Sequence, residues 1–149
     1  NFYRGGDLSN YDSEVIQALV HLEGIVEASS VEKIWKQALS TKWTEKPVWV
    51  HGDLSSGNIL VQNNKLSAII DFGSSAIGDP ACDLVMAWTD FSKEDRQVFK
   101  SELNLDENTW NRAKGWALWK ALITVEAEKN KQSEKALSKL KVITELLVD

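Results

Sequence analysis

The sequence predicts a mostly helical α+β domain with a small β element set into it. Apolar residues recur at helical spacing before residue 45 and again after residue 80. Between residues 48 and 70 the apolar runs become short, β-branched and aromatic, and Gly, Asp, Ser and Asn separate them. A chain of 149 residues with 43% apolar content suits one ordinary core, and no composition shift marks a boundary, so residues 1–149 read as a single domain.

The elements follow in order. From residue 12 to about 27, Val15, Leu19, Leu22 and Val26 form a helical stripe with Asp12 as the expected N-cap. Ser29 stands three residues before Glu32 in capping-box spacing, and Val31, Ile34, Trp35, Ala38 and Leu39 mark the face of a second helix. Beyond Pro47, Val48-Trp49-Val50, Asn58-Ile59-Leu60-Val61 and Leu66-Ser67-Ala68-Ile69-Ile70 read as strands. The last two form a hairpin with a two- or three-residue turn at Asn63-Asn64-Lys65. Asp79 and Pro80 are a good N-cap and first helical residue, so a helix is expected from there to about Asp90. Ser92, three residues before Asp95, starts another. Asp106 opens a long helix containing Trp110, Ala113, Trp116, Ala117 and Leu122, which Gly115 weakens slightly. Residues 133–148 place Ala136, Leu140, Ile143 and Leu147 on one face of a final helix. No internal repeat is visible.

Charge and cysteine content exclude several function classes. With 17 Lys+Arg against 22 Asp+Glu the formal net charge is −5, which argues against nucleic-acid binding by broad phosphate neutralisation and favours a cationic ligand. The single cysteine, Cys82, can form neither an intrachain disulfide nor a cysteine zinc site, and it reads as a small buried residue. No apolar run is long enough for a membrane span, and the first residues lack a secretory signal. A soluble protein of the cytoplasm is therefore expected, without membrane or nucleic-acid partners. The opening residues read as a loop between elements, and the sequence is expected to be a piece of something longer.

The chemistry concentrates between residues 48 and 84, where His51-Gly52-Asp53-Leu54-Ser55-Ser56-Gly57-Asn58 is followed by Ile70-Asp71-Phe72-Gly73 and Gly78-Asp79-Pro80-Ala81-Cys82-Asp83-Leu84. A hairpin turning near Asn64 has a pairing sum of about 128 or 129, which puts Asn58 opposite Ile70 or Asp71. An amide oxygen and a carboxylate at the open end of a hairpin make a hard-oxygen site suited to Mg²⁺, with phosphate oxygens of a nucleotide completing it. Asp53, in the loop just before, is the candidate general base. Phosphoryl transfer to a hydroxyl needs such a carboxylate, a metal and in-line placement, and little covalent work.

Together these three segments resemble the aminoglycoside phosphotransferase and choline-kinase-like branch of the protein-kinase-like superfamily over residues 48–88. In that branch HGDLxxxN replaces the kinase H-R-D-x-x-x-x-N loop, and IDF/W-G-x-x-x-x-GDPxxDL follows. The resemblance implies a protein-kinase-like C-terminal lobe whose small β-hairpin carries the catalytic and metal-binding loops. It implies that Asp53 is the catalytic base, that Asn58 and Asp71 ligate Mg²⁺, that His51 supports the catalytic loop and that Asp83 anchors it by hydrogen bonds. Gly52 replaces the kinase Arg, which implies no control by a phosphorylated activation loop. The donor would be ATP, with GTP possible, and the acceptor an aminoglycoside or another cationic or hydroxylated small molecule. Antibiotic resistance is a property of the family.

One departure stands out: the family's N-terminal lobe, with its phosphate-covering loop and phosphate-binding lysine, has no counterpart in the sequence. This motivates an alternative, a truncated or degenerate homologue that binds a ligand without catalysis. A carboxylate-metal phosphohydrolase using Asp53 and Asp71 fits less well, because Asn58 matches the kinase pattern. The seven tryptophans read first as core: Trp35 and Trp116 lie on apolar stripes and Trp49 in a strand, which leaves Trp43, Trp88, Trp110 and Trp119 as candidates to line a pocket.

Overall fold

A computed structural model describes residues 3–149. Its elements are α1 (Asp12–His21), α2 (Ala28–Leu39), β1 (Val48–Val50), β2 (Ile59–Gln62), β3 (Lys65–Ile69), β4 (Ala76–Gly78), the short α3 (Met86–Thr89), α4 (Lys93–Leu103), α5 (Glu107–Ala127) and α6 (Glu134–Val148). Two helices, a small β region and four helices give the α+β, mostly helical order expected from the sequence.

The first two helices start and stop differently from the expectation. A 3₁₀ turn at Leu8–Tyr11, capped by Asp7, leads directly into α1, so Asp12 lies inside the helix. Its carboxylate instead accepts the Trp35 Nε1–H at 2.7 Å and ties α1 to α2. α1 ends at His21, and Gly24, at φ 76°, turns the chain. The cap of α2 is Glu27 rather than Ser29: its carboxylate accepts the backbone N–H groups of Ser29 (3.3 Å) and Ser30 (2.7 Å). A longer side chain caps the helix two residues earlier and satisfies its first orphan donors.

The β region holds two antiparallel pairs. β2 and β3 form the expected hairpin, with Asn63 and Asn64 both left-handed at φ 51° and 58°, the backbone of a two-residue primed turn. A register shift between Leu60 and Val61 moves the pairing sum, so the open end pairs Ile59 with Ile69. β1 pairs with β4 through Val48↔Gly78, Trp49↔Ile77 and Val50↔Ala76, a fourth strand that the sequence reading left unassigned. The chain leaving β4 then runs through a 3₁₀ segment, Pro80–Val85, into α3, where one continuous helix was expected.

α5 is the axis of the core. Twelve of its residues, from Thr109 to Val125, are buried, and α1, α2, α6 and the 3₁₀ segment pack around it. Gly115 is where α2 crosses: a Cβ there would stand 2.5 Å from the Ala38 Cβ and 2.9 Å from the Leu8 Cδ1, so close approach outweighs the lost helix propensity. Trp88, Trp110 and Trp119, candidates for a pocket, are buried with Trp35 and Trp116 as core. Trp49 goes the other way and is 78% exposed opposite the exposed Ile77. Among the described residues no helix is long and apolar enough to cross a membrane.

Candidate active site

The loop at residues 51–58 is held from below. The Asp83 carboxylate accepts two backbone N–H groups, His51 on Oδ2 and Gly52 on Oδ1, each at 2.7 Å. The Asp53 N–H lies 3.3 Å from His51 Nδ1, so that nitrogen accepts and Nε2 carries the proton, donating to the Ile70 carbonyl at 2.8 Å. His51 is thereby a buried bridge between the loop and the end of β3, with neither ring nitrogen left to take a proton. Gly52 adopts φ 81°, and a Cβ on it would run into the Ser74 carbonyl and stand 2.9 Å from the Arg4 Cγ, so only glycine fits. Further along, the Ser56 N–H donates to Asp90 at 3.0 Å. Burial pushes the Asp90 carboxyl up, but hydrogen bonds from Ser56 and Thr89 win and hold it below its ordinary range.

Asp53 emerges from this loop partly exposed. Its Oδ1 is 2.6 Å from Lys120 Nζ on α5, a pair with side chains 41% and 36% exposed. That hydrogen bond from the Lys120 ammonium holds the Asp53 carboxyl below its ordinary range against the opposing effect of burial, helped by the charges of Lys120 and Arg4. Oδ2 makes no hydrogen bond among the described residues. Next to Lys120 in sequence on α5, Trp119 lies 3.9 Å from Tyr11 between ring centroids, and the Arg4 guanidinium covers the faces of Trp116 and Trp119 at 5.5 and 5.0 Å.

The hairpin brings Asn58 and Asp71 to one end without setting them opposite each other. Ile70 is the partner of Asn58, its N–H donating to the Asn58 carbonyl at 3.0 Å, and Asp71 is one residue beyond. Asn58 Nδ2 donates to the Asp53 carbonyl at 2.9 Å, which leaves its Oδ1 for another ligand. Asp71 takes the left-handed conformation, φ 63°, and its exposed carboxylate has no hydrogen bond among the described residues. Two hard oxygen donors with unfilled valence fit Mg²⁺, an ion that keeps waters and binds phosphate oxygens rather than an all-protein cage. No cluster of three or more His, Cys, Asp or Glu suited to a metal occurs among the described residues.

Asp79 belongs to a different constellation. It caps the 3₁₀ segment through the Ala81 N–H (3.0 Å) and receives Arg112 Nε at 2.6 Å, both side chains buried. Arg112 also reaches Thr41 Oγ1 and Thr109 Oγ1 and lies against Trp43. A cavity of about 250 Å³ beside this pair is bordered by Thr41, Trp43, Asp79 and Arg112, not by Asp53, Asn58 or Asp71. Cys82, beneath the loop, is buried, and burial with the neighbouring Asp83 charge pushes its thiol up to about 12.

Sequence reasoning missed Lys120 and Arg112. A signal was present: α5 is apolar nearly all round, and a charge inside such a helix has to find a partner.

Among solved structures, the chain is similar to the streptomycin–ATP–APH(2'')-IIa ternary complex, at 20% identity and a TM-score of 0.51 over 95% of this chain. It is also similar to the ADP-bound aminoglycoside phosphotransferase APH(2'')-Ib, at 21% identity and a TM-score of 0.53 over 94% of this chain. Identities this low establish the shared fold, that of a protein-kinase-like C-terminal lobe, and the chain spans 51% of the length of each of those proteins. No curated protein matches the chain. The model of the phosphotransferase enzyme family, APH, matches residues 7–116, which include the loop at residues 51–58, the hairpin and the Asp79–Asp83 segment, and the chain belongs to that family.

Proposed function

We propose that this chain is the catalytic-loop lobe of a nucleotide-dependent O-phosphotransferase, one that moves the γ-phosphoryl group of ATP, or of GTP, onto a hydroxyl of a small aminoglycoside-like molecule. The observation that supports the reading is the Asp53 carboxylate, mounted on a loop pinned by Asp83, with Oδ2 unbonded among the described residues and the Asn58 amide donating to the Asp53 carbonyl. The acceptor hydroxyl donates to Oδ2, which orients it for in-line attack and takes its proton as the new O–P bond forms. Asn58 Oδ1 and the Asp71 carboxylate would hold Mg²⁺, which supplies charge neutralisation at the phosphates. His51, bonded at both ring nitrogens, keeps the loop in shape and is not the base in this reading.

Residues 1–149 form one domain in this reading. The phosphate-covering loop and phosphate-binding lysine come from an N-terminal lobe outside these residues, which agrees with the half-length coverage of the two solved relatives. ATP and one unpaired, buried cysteine suit the cytoplasm, and no membrane or nucleic-acid partner is invoked. The aminoglycoside-like acceptor rests on the acidic chain and on the names of those relatives.

Calorimetric titration of the full-length protein with ATP and Mg²⁺ tests the site. Binding is expected to disappear with EDTA and to weaken at least about tenfold in Asp71→Ala, since one of two protein ligands to a hard cation is gone. An Asp71→Ala protein that binds Mg-ATP as the parent does would sink the assignment.

A further inference from the structure

Phosphoryl transfer concentrates negative charge on the moving group, and fixed cations there supply much of the catalysis. From residue 51 to residue 71 the only Lys or Arg is Lys65, at the far turn of the hairpin. The Arg4 guanidinium is spread over two indole faces. The cation that touches the base is Lys120, 2.6 Å from Asp53 Oδ1. It stands on the most deeply packed helix of the fold, between the buried Trp119 and Ala121, so its Cα is fixed while its side chain remains 36% exposed.

We propose that Lys120 is a catalytic residue whose ammonium spans Asp53 Oδ1 and an oxygen of the transferring phosphoryl group, supplying from α5 the positive charge that the catalytic loop lacks. This rests on the assignment of Asp53 as the base. An acceptor oxygen hydrogen-bonded to Oδ2 lies about 2.7 Å from it, and in-line attack sets the reacting atoms about 3–3.5 Å apart. An ammonium already on the same carboxylate then meets the phosphoryl oxygens by rotation of its four-carbon stem. In the step, the acceptor oxygen bonds to the γ-phosphorus, the bond from that phosphorus to the β,γ-bridging oxygen breaks, the hydroxyl proton passes to Asp53 Oδ2, and Lys120 keeps its own proton throughout.

The test needs no knowledge of the acceptor. Full-length protein is titrated with Mg-ADP alone and with Mg-ADP plus aluminium fluoride, which mimics the phosphoryl group in flight. Lys120→Met is expected to weaken the aluminium fluoride complex about 10- to 100-fold while Mg-ADP alone binds within about twofold of the parent, and Lys120→Arg is expected to restore most of the loss. Should Lys120→Met lose its thermal transition, Lys120→Gln read against Lys120→Arg makes the same comparison. Unchanged or tighter aluminium fluoride binding in Lys120→Met overturns the proposal and makes the ammonium a cap on the base. Equal losses in Met and Arg variants overturn it as well, because packing and not charge would be at work. A parent protein that fails to bind Mg-ADP overturns the function reading itself, a result distinct from the others.

Discussion

Two ion pairs join α5 to the loops carrying the sequence motifs, both at 2.6 Å: Arg112 with Asp79 and Lys120 with Asp53. Their surroundings differ. The Arg112 and Asp79 side chains are 6% and 7% exposed, and every branch of the guanidinium has a partner, down to Thr41 and Thr109. The Lys120 and Asp53 side chains are 36% and 41% exposed, and one carboxylate oxygen has no hydrogen bond among the described residues. Length therefore says little about what an ion pair is for. A saturated, buried pair between a guanidinium bonded at all three nitrogens and a cap is a part of the fold, whereas a half-exposed pair on a pinned loop has donor and acceptor capacity left for something else. The same contrast runs through the carboxylates of the motifs, since Asp83 spends both oxygens on backbone amides and Asp71 spends neither among the described residues.

Substitutions should pull the two pairs apart. Arg112→Ala leaves a buried, unpaired Asp79 charge, and a loss of about 3–5 kcal/mol is expected in urea unfolding; a loss under about 1 kcal/mol would erase the distinction. Asp83→Ala comes next, at about 1–3 kcal/mol in total because the loop can relax to let water reach the freed amides, read by the same unfolding curves, and loosening of residues 51–53 should accompany it in hydrogen exchange. For Asp53 and Lys120, a double-mutant cycle on stability should give no more than about 1 kcal/mol, because the pair is solvated. A coupling as large as that expected at Arg112 would make this pair structural too.

The smallest effect belongs to the exposed cap of α2. Hydrogen bonds from the Ser30 and Ser29 hydroxyls and amides lower the Glu27 carboxyl from 4.5 to about 2. The folded value lies below the unfolded one, so the cap's contribution is present above pH 4.5 and is lost as pH falls through about 2. The Ser30 amide resonance should titrate with a midpoint near 2, and a midpoint near 4.5 would mean that the cap is not formed.

How much of this was legible in the sequence follows from what is local. The hairpin, its polar turn, and the caps at Ser92, Asp106 and Ser133 were readable because each is a short-range pattern of capping side chains or β-branched runs. The nearness of Asn58 and Asp71 was readable because hairpin spacing carries both to the open end. β4 was not, since Ala76-Ile77-Gly78 has little strand character and acquires it only by pairing with β1. The 3₁₀ path after Pro80 was hidden for a related reason: Asp83 must face back to two loop amides, a demand the local sequence does not express. Lys120 and Arg112 reach partners 67 and 33 residues away, and only their presence in an apolar helix hinted at them. Trp49 reversed its expected burial because strand propensity does not say which face of a two-stranded pair is covered.

The measurement that bears most directly on the central claim is steady-state ADP formation by the full-length protein with Mg-ATP and an aminoglycoside acceptor, parent against Asp53→Asn. The account predicts a fall in kcat of at least about 100-fold with an unchanged unfolding midpoint, the signature of a residue spent on chemistry and not on the fold. An Asp53→Asn protein that turns over at the parental rate would contradict it.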